Sequence, residues 1–303
     1  MMIKDIGEIG LIERFAKGIR LDKSVVIGAG DDAAVIKWTK DKYLLFTCDM
    51  LVEDVHFTLE KAKPFDIGWK ALARNVSDIA AMGGVARYAV VSAGISPDMP
   101  VGLADGIYKG IKAAANKFKV NLVGGDTSKS KSLVIDISLL GEVEKKYLVT
   151  RHGARKGDMI FVTGSLGGSI KGKHLKFTPR IAEARKLARN FKISSMIDIS
   201  DGLILDLWRI LKASSVGARI YEKNIPLSRN ADSLEEAMRG GEDFELLFTT
   251  SPKESRRILK MAGSKIVTPI TLIGEIAGRK SGYRLIKKDG TERALKPEGY
   301  LHF

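Results

Sequence analysis

The residues of this chain that could do chemistry are its aspartates. The first group, in GAGDDAAVI (28–36), sets two carboxylates side by side in a chain with 50 basic and 36 acidic residues. Two carboxylates about 4 Å apart repel by roughly 4 kcal/mol at an effective dielectric near 20, so they stay ionised only beside a counter-charge, and a bound cation is one. Other aspartates keep similar company. Asp31 and Asp32 follow Gly28 and Gly30, Asp49 follows FTC, Asp78 sits in NVSDIAAMGG, Asp126 follows Gly124 and Gly125, and Asp198 and Asp201 flank Ser200. Glycine lets a backbone approach a ligand closely, and hard cations such as magnesium take carboxylate, carbonyl, water and phosphate oxygens. Any one of these residues alone reads as a turn or N-cap aspartate; together they read as a cation cage. Cys48 is the only cysteine, so an intramolecular disulfide and a cysteine zinc site are excluded, and a metal here takes oxygen ligands.

A second candidate is GGSIKGKH (167–174), which nearly matches the phosphate loop G-x-x-x-x-G-K-[ST]. It fails at its last position, where His174 replaces the hydroxyl that ligates magnesium, and it reads better as a basic glycine-rich loop.

These residues must be held by regular elements, and two halves of mixed α and β pattern are visible. In the first, residues 33–37, 43–48, 87–95 and 133–143 read as strands, with helical periodicity over 65–83 and 100–118. In the second, 158–164, 244–250 and 271–277 read as strands, and 179–191, 201–215 and 252–263 as helices. The polar, glycine-containing link KKYLVTRHGARKGD (145–158) marks the boundary, giving domains 1–145 and 146–303. A faint echo of NVSDIAAMGG in DISDGLILDL (198–207) agrees with two related halves. The stripe Leu203, Leu207, Ile210 and Leu211 reads as core.

At 303 residues, 45% hydrophobic and 28% charged, the chain has the composition of a folded globular protein. It shows neither an uninterrupted apolar leader at its start nor an apolar run long enough to span a membrane, so a cytoplasmic location without membrane association is expected. The net charge of +14 is dispersed over helical patterns and not interleaved with stacking aromatics, which argues for solvated helix faces or small anionic substrates and against a specific nucleic-acid partner.

The ordered set GAGDDAAV, TCDMLVEDVHF, ALARNVSDIAAMGG, GGDTS, IDISDGL and GGEDFEL resembles the thiamine-monophosphate kinase family over most of the chain. That family shares an ATP-binding superfamily with aminoimidazole ribonucleotide synthetase, selenophosphate synthetase and the hydrogenase-maturation dehydratase. The resemblance implies a two-domain, mixed α/β, aminoimidazole ribonucleotide synthetase-like architecture, usually a homodimer that pairs its N-terminal sheets, with ATP bound without a phosphate loop. It implies Mg2+ at Asp32, Thr47, Asp49, Asp78, Asp126, Asp198 and Asp201, ATP contacts at Gly125, Asp126, Arg151 and Ser200, and thiamine contacts at His56, Glu242 and Tyr300. Asp31 either supports a ligand or shapes the turn. Cys48 departs from a small hydroxyl residue, leaving a backbone carbonyl as its means of ligation. On the residues alone, His56 reads as a packed or solvent-facing histidine and Tyr300 as an aromatic covering the core.

The implied reaction converts ATP and thiamine phosphate to ADP and thiamine diphosphate, with several Mg2+ ions and no protein nucleophile; Asp126 and Asp201 are expected to be essential through metal. Within the superfamily, the reactive cysteine expected of a selenophosphate synthetase near its N-terminal glycine-rich loop is missing, and LHF stands where the hydrogenase-maturation dehydratase ends in cysteine. Aminoimidazole ribonucleotide synthetase is the nearest enzymatic alternative, but lacks the combination of GGEDFEL and GYLHF. A silent nucleotide- or nucleic-acid-binding protein is the other, disfavoured because the acids would repel a phosphate backbone.

Overall fold

The computed structural model describes residues 2–261 and 268–303. After helix α1 (Ile3–Ala16) the first half forms a sheet from β1 (Val25–Ile27), β2 (Ala34–Lys37), β3 (Lys42–Val52), β4 (Val85–Ile95), β5 (Asn121–Lys129) and β6 (Val134–Glu144). Its order is β1-β2-β3-β6-β4-β5, antiparallel except for β4 and β5. Helices α2 (Pro64–Ala81) and α3 (Val101–Phe118) cover one face. On β3, Leu45 and Leu51 face that core while Phe46 and Met50 stay exposed, so period-two alternation leaves the opposite face of the sheet open. Near contact between α2 and α3 depends on glycine, because a Cβ at Gly68 would lie 1.9 Å from the Ile107 carbonyl oxygen.

The predicted strands of this half fall on β2, β3, β4 and β6. Strand β5 escapes the pattern, since NLVGGDTSK lacks apolar alternation; pairing along β4 makes it a strand.

The second half contains β7 (Met159–Thr163), α4 (Lys173–Lys176), α5 (Ile181–Asn190), β8 (Ile193–Asp198), α6 (Leu203–Ser214), β9 (Gly217–Tyr221), α7 (Leu234–Arg239), β10 (Leu246–Thr250), α8 (Pro252–Met261), β11 (Ile270–Ala277), β12 (Tyr283–Ile286) and β13 (Glu292–Ala294). The sheet order is β13-β12-β9-β11-β7-β10-β8. Every residue of β10 is buried, because α6 packs on one face of the sheet and α5 and α8 on the other. A strand covered on both sides reads as a continuous apolar run, which is why β7 and β10 are visible in the sequence. The helix expected over 252–263 runs to Met261; residues 262 and 263 lie outside the described residues. The strand expected from 244 starts at Leu246, because Glu242 and Phe244 take positive φ (65° and 50°) and hold the preceding segment as a loop. Helix α2 touches both halves, meeting β3 and β6 on one side and β8 and α5 on the other. The architecture is the expected mixed α/β one.

Candidate active site

Three carboxylates from three elements meet at the junction of the halves. Asp32 stands on the turn between β1 and β2, Asp78 near the end of α2 and Asp198 at the end of β8, each with an oxygen within 4.8 Å of the others. Hydroxyls hold two of them: Thr47 Oγ1 donates to Asp78 (2.7 Å) and Ser77 Oγ to Asp198 (2.5 Å). Arg151 donates to Asp32 Oδ1 from Nη2 (2.6 Å) and Nε (3.2 Å), while Asp32 Oδ2 is buried without a partner among the described residues. Asp31 accepts the backbone N–H groups of Asp32 and Arg151, so it ties the turn to the segment that carries Arg151.

Burial, and then the neighbouring carboxylates, hold Asp78 and Asp198 well above the usual carboxylate range. Burial also raises Asp32 and Asp49, against the opposing pull of Arg151 and Arg74 respectively. An oxygen-only donor set, crowded acids and an orphaned carboxylate oxygen fit a hard divalent cation such as Mg2+.

Beside this cage lies a cavity of about 260 Å³ lined by His56, Arg74, Ser200, Asp201, Glu242 and Tyr300, among others. The three residues matched to the thiamine moiety therefore converge, although 244 positions separate His56 from Tyr300. His56 Nδ1 accepts the Val52 N–H (3.1 Å), and burial together with the charges of Arg74 and Lys70 pushes its pKa down to about 3, so the ring is neutral. Tyr300 N–H donates to the Asp201 carbonyl (2.9 Å), and its ring meets His302 edge-on at 5.1 Å. Asp201 is paired with Arg209 (2.6 Å), which also grips buried Asp206 (2.5 Å).

Gly125 and Asp126 are not brought to this cluster. Both lie on edge strand β5, three strands from Asp49, and at 4.7–4.9 Å per strand that is about 14 Å, beyond the reach of two aspartates on one ion. Asp126 shares a row with Ser92, Asp136 and exposed Met50, the open face of the sheet. Cys48 is exposed on β3, where Thr47 and Asp49 alternate to the opposite face.

The glycine-rich loop 167–174 is held by the protein itself. Lys173 and Arg180 pair with buried Glu245, Lys171 pairs with Asp232, and Ser169 Oγ donates to the Glu242 carbonyl. Its cations are occupied, and the helix that follows has only four residues.

Lys70 and Arg74 are absent from the sequence-derived site. With Asp78 they stand at 70, 74 and 78, one stripe of α2, and that four-residue spacing of charges was the available signal. Arg209 and Asp206 are hidden because their helix reads as core.

Residues 30–143 match the model of the AIR synthase related protein N-terminal domain, and 146–287 the model of its C-terminal domain. The thiamine-monophosphate kinase of Rhodopirellula baltica is 38% identical over 295 residues, covering 92% of each chain. That of Bacillus subtilis is 35% identical over 308 residues, 92% of this chain and 94% of the relative. The chain belongs to the thiamine-monophosphate kinase family. Members of that family have also been solved: AaThiL complexed with AMPPCP and TMP superposes with a TM-score of 0.85 at 32% identity, over 100% of this chain and 99% of that one.

Proposed function

We propose that the chain transfers the γ-phosphoryl group of ATP to thiamine phosphate, giving ADP and thiamine diphosphate. The observation that carries this reading is an oxygen cage for cations whose Asp198 is followed, two and three residues on, by Ser200 and Asp201 in the wall of a cavity that also presents an aromatic ring, a neutral histidine and a carboxylate. Family membership, and the pairing of AMPPCP with TMP in a relative, support the two substrates.

Asp32, Asp49, Asp78, Asp198 and Asp201 would hold several Mg2+ ions, with Thr47 fixing Asp78. Bound magnesium supplies positive charge that neutralises two polyanionic substrates and the transferring group. An oxygen of the acceptor phosphate attacks the γ-phosphorus in line and the β–γ bridging oxygen leaves with ADP. The attacking phosphate is already largely ionised near neutral pH, so no strong base is needed. His56 stays neutral and Tyr300 offers an aromatic face to the cationic ring of the acceptor. Glu242 contributes less charge than an isolated carboxylate, because Lys70 pairs with it at 2.6 Å. Arg151 and Ser200 are the nucleotide contacts within the chain.

The working unit in this reading is a homodimer joined through the open sheet face, where Phe46, Met50, Tyr88 and Val90 are exposed. The partner then delivers Gly125 and Asp126 to the cage, which resolves the separation of Asp126 from Asp49. The test is direct: purified protein with ATP, Mg2+ and thiamine phosphate, followed by mass spectrometry. Thiamine diphosphate formed in step with ADP is expected, and ADP release without a phosphorylated thiamine product would refute the proposal.

A further inference from the structure

Arg74 lines the cavity beside Ser200, Asp201 and Glu242, with 15% of its side chain exposed. Its hydrogen bonding is incomplete. Nη2 lies 3.4 Å from Asp49 Oδ1 and Nη1 3.4 Å from the Met50 carbonyl, both longer than ordinary N–H···O bonds, and Nε is buried with no partner among the described residues. Arg151 and Arg209 differ, each gripping a carboxylate at 2.6 Å. A guanidinium carries five N–H donors in a rigid fork that matches two oxygens of a phosphate, and a buried donor left unsatisfied is destabilising. This fork is held loosely, with donors to spare, where the cavity meets the acids.

We propose that Arg74 binds the phosphate of the organic monophosphate acceptor. The assignment rests on the thiamine phosphate reading given above and adds to it the residue that orients the attacking group. An acceptor in the cavity has two chemically distinct ends. Its aromatic cation suits the Tyr300 and His56 rings, and its phosphate needs a cation on a wall that also carries the carboxylates of Asp201 and Glu242. Arg74 is the cation on that wall. Neighbouring carboxylates hold the guanidinium in place without saturating it, so an incoming phosphate completes its hydrogen bonds and displaces only two long ones. Helix α2 also carries Lys70 one turn earlier and Asp78 one turn later, so acceptor phosphate, Glu242 and cation cage are all set from one rigid element.

The test compares thiamine phosphate with thiamine, which has the same organic part and no phosphate. Affinities are measured by isothermal titration calorimetry at fixed Mg2+, for the wild type, Arg74→Met and Arg74→Lys. In Arg74→Met, thiamine phosphate is expected to bind at least tenfold more weakly while thiamine changes less than threefold; Arg74→Lys, keeping the charge without the fork, should fall between. Equal weakening of both ligands, or unchanged binding of thiamine phosphate, overturns the assignment. Should the Met variant not fold, the Lys variant decides it: at least a threefold loss confined to thiamine phosphate supports the contact, and an unselective or absent loss overturns it. A wild type that binds ATP but neither thiamine ligand refutes the underlying functional reading and this assignment with it, an outcome distinct from failure of the variants alone.

Discussion

The Lys70 ammonium is fully buried and lies 2.6 Å from the Glu242 carboxylate, joining a helix of the first half to a strained loop of the second. Its remaining hydrogen bond goes to the carbonyl of His56, so one side chain ties together two walls of the cavity. Breaking a buried pair by removing one partner costs about 3–5 kcal/mol, and the cost here should be smaller, because 19% of the Glu242 side chain reaches solvent. Lys70→Met is expected to lower the free energy of unfolding measurably in urea titrations, and the double variant with Glu242→Gln to lose less than the sum of the two single changes. A Lys70→Met protein as stable as the wild type would show the pair to be energetically idle.

Asp126 and Asp198 provide a test of shared sites. Asp126→Asn and Asp198→Asn are each expected to abolish activity, and Asp198→Asn to leave metal-free thermal stability unchanged or higher, since burial and the neighbouring carboxylates already disfavour the charged form that the amide removes. If Asp126 reaches the cage only from a partner, mixed dimers of the two inactive variants contain one site with every ligand. Subunit exchange should then restore a fraction of wild-type turnover. Failure to restore any, in a mixture shown by mass spectrometry to contain heterodimers, would place both residues in the same chain's site.

Tyr300→Ala removes an aromatic face from the cavity while its backbone bond to the Asp201 carbonyl can persist. A cation–aromatic contact is worth about 0.5–2 kcal/mol, so KM for thiamine phosphate is expected to rise several-fold with KM for ATP nearly unchanged. Equal changes for both substrates would assign Tyr300 to packing.

Asp243 gives a pH prediction away from the cage. Burial pushes its carboxyl up to about 7; Oδ2 accepts the Gly167 N–H, and Oδ1 has no partner among the described residues. The folded chain holds this proton to about pH 7, whereas the unfolded chain releases it near 3.8, so the native state binds the extra proton between those values and loses stability as pH rises through them. Asp243→Asn cannot ionise. Its stability relative to wild type is expected to grow by roughly 2–3 kcal/mol between pH 5 and 8, read from denaturant titrations at both pH values. A difference that does not vary with pH would mean that Asp243 ionises normally in the fold.

Several features were legible in the chain without its fold. Strands β7 and β10 are visible because burial on both faces demands continuous apolar residues, and β3 and β4 because helices cover only one face. The aspartates stood out because each sits at a glycine or small-residue break, where backbone geometry and charge restrict what a residue can be doing. The oxygen character of the site follows from its aspartates, the lone Cys48 excluding only a cysteine cluster. Only the family resemblance points to His56, Glu242 and Tyr300 as thiamine contacts, which their local sequence does not suggest.

Tertiary structure decided which of these residues meet. Asp32, Asp78 and Asp198 come together because α2 packs against both halves, a contact with no local signature. Lys70, Arg74 and Arg209 reach the site from helices whose apolar neighbours conceal them, since helical periodicity reports which face is buried and not what a buried charge is paired with. The same applies to Asp126: its sequence neighbours make it a ligand candidate, but strand order puts it about 14 Å from Asp49, because position across a sheet depends on which strands pair and not on residue type.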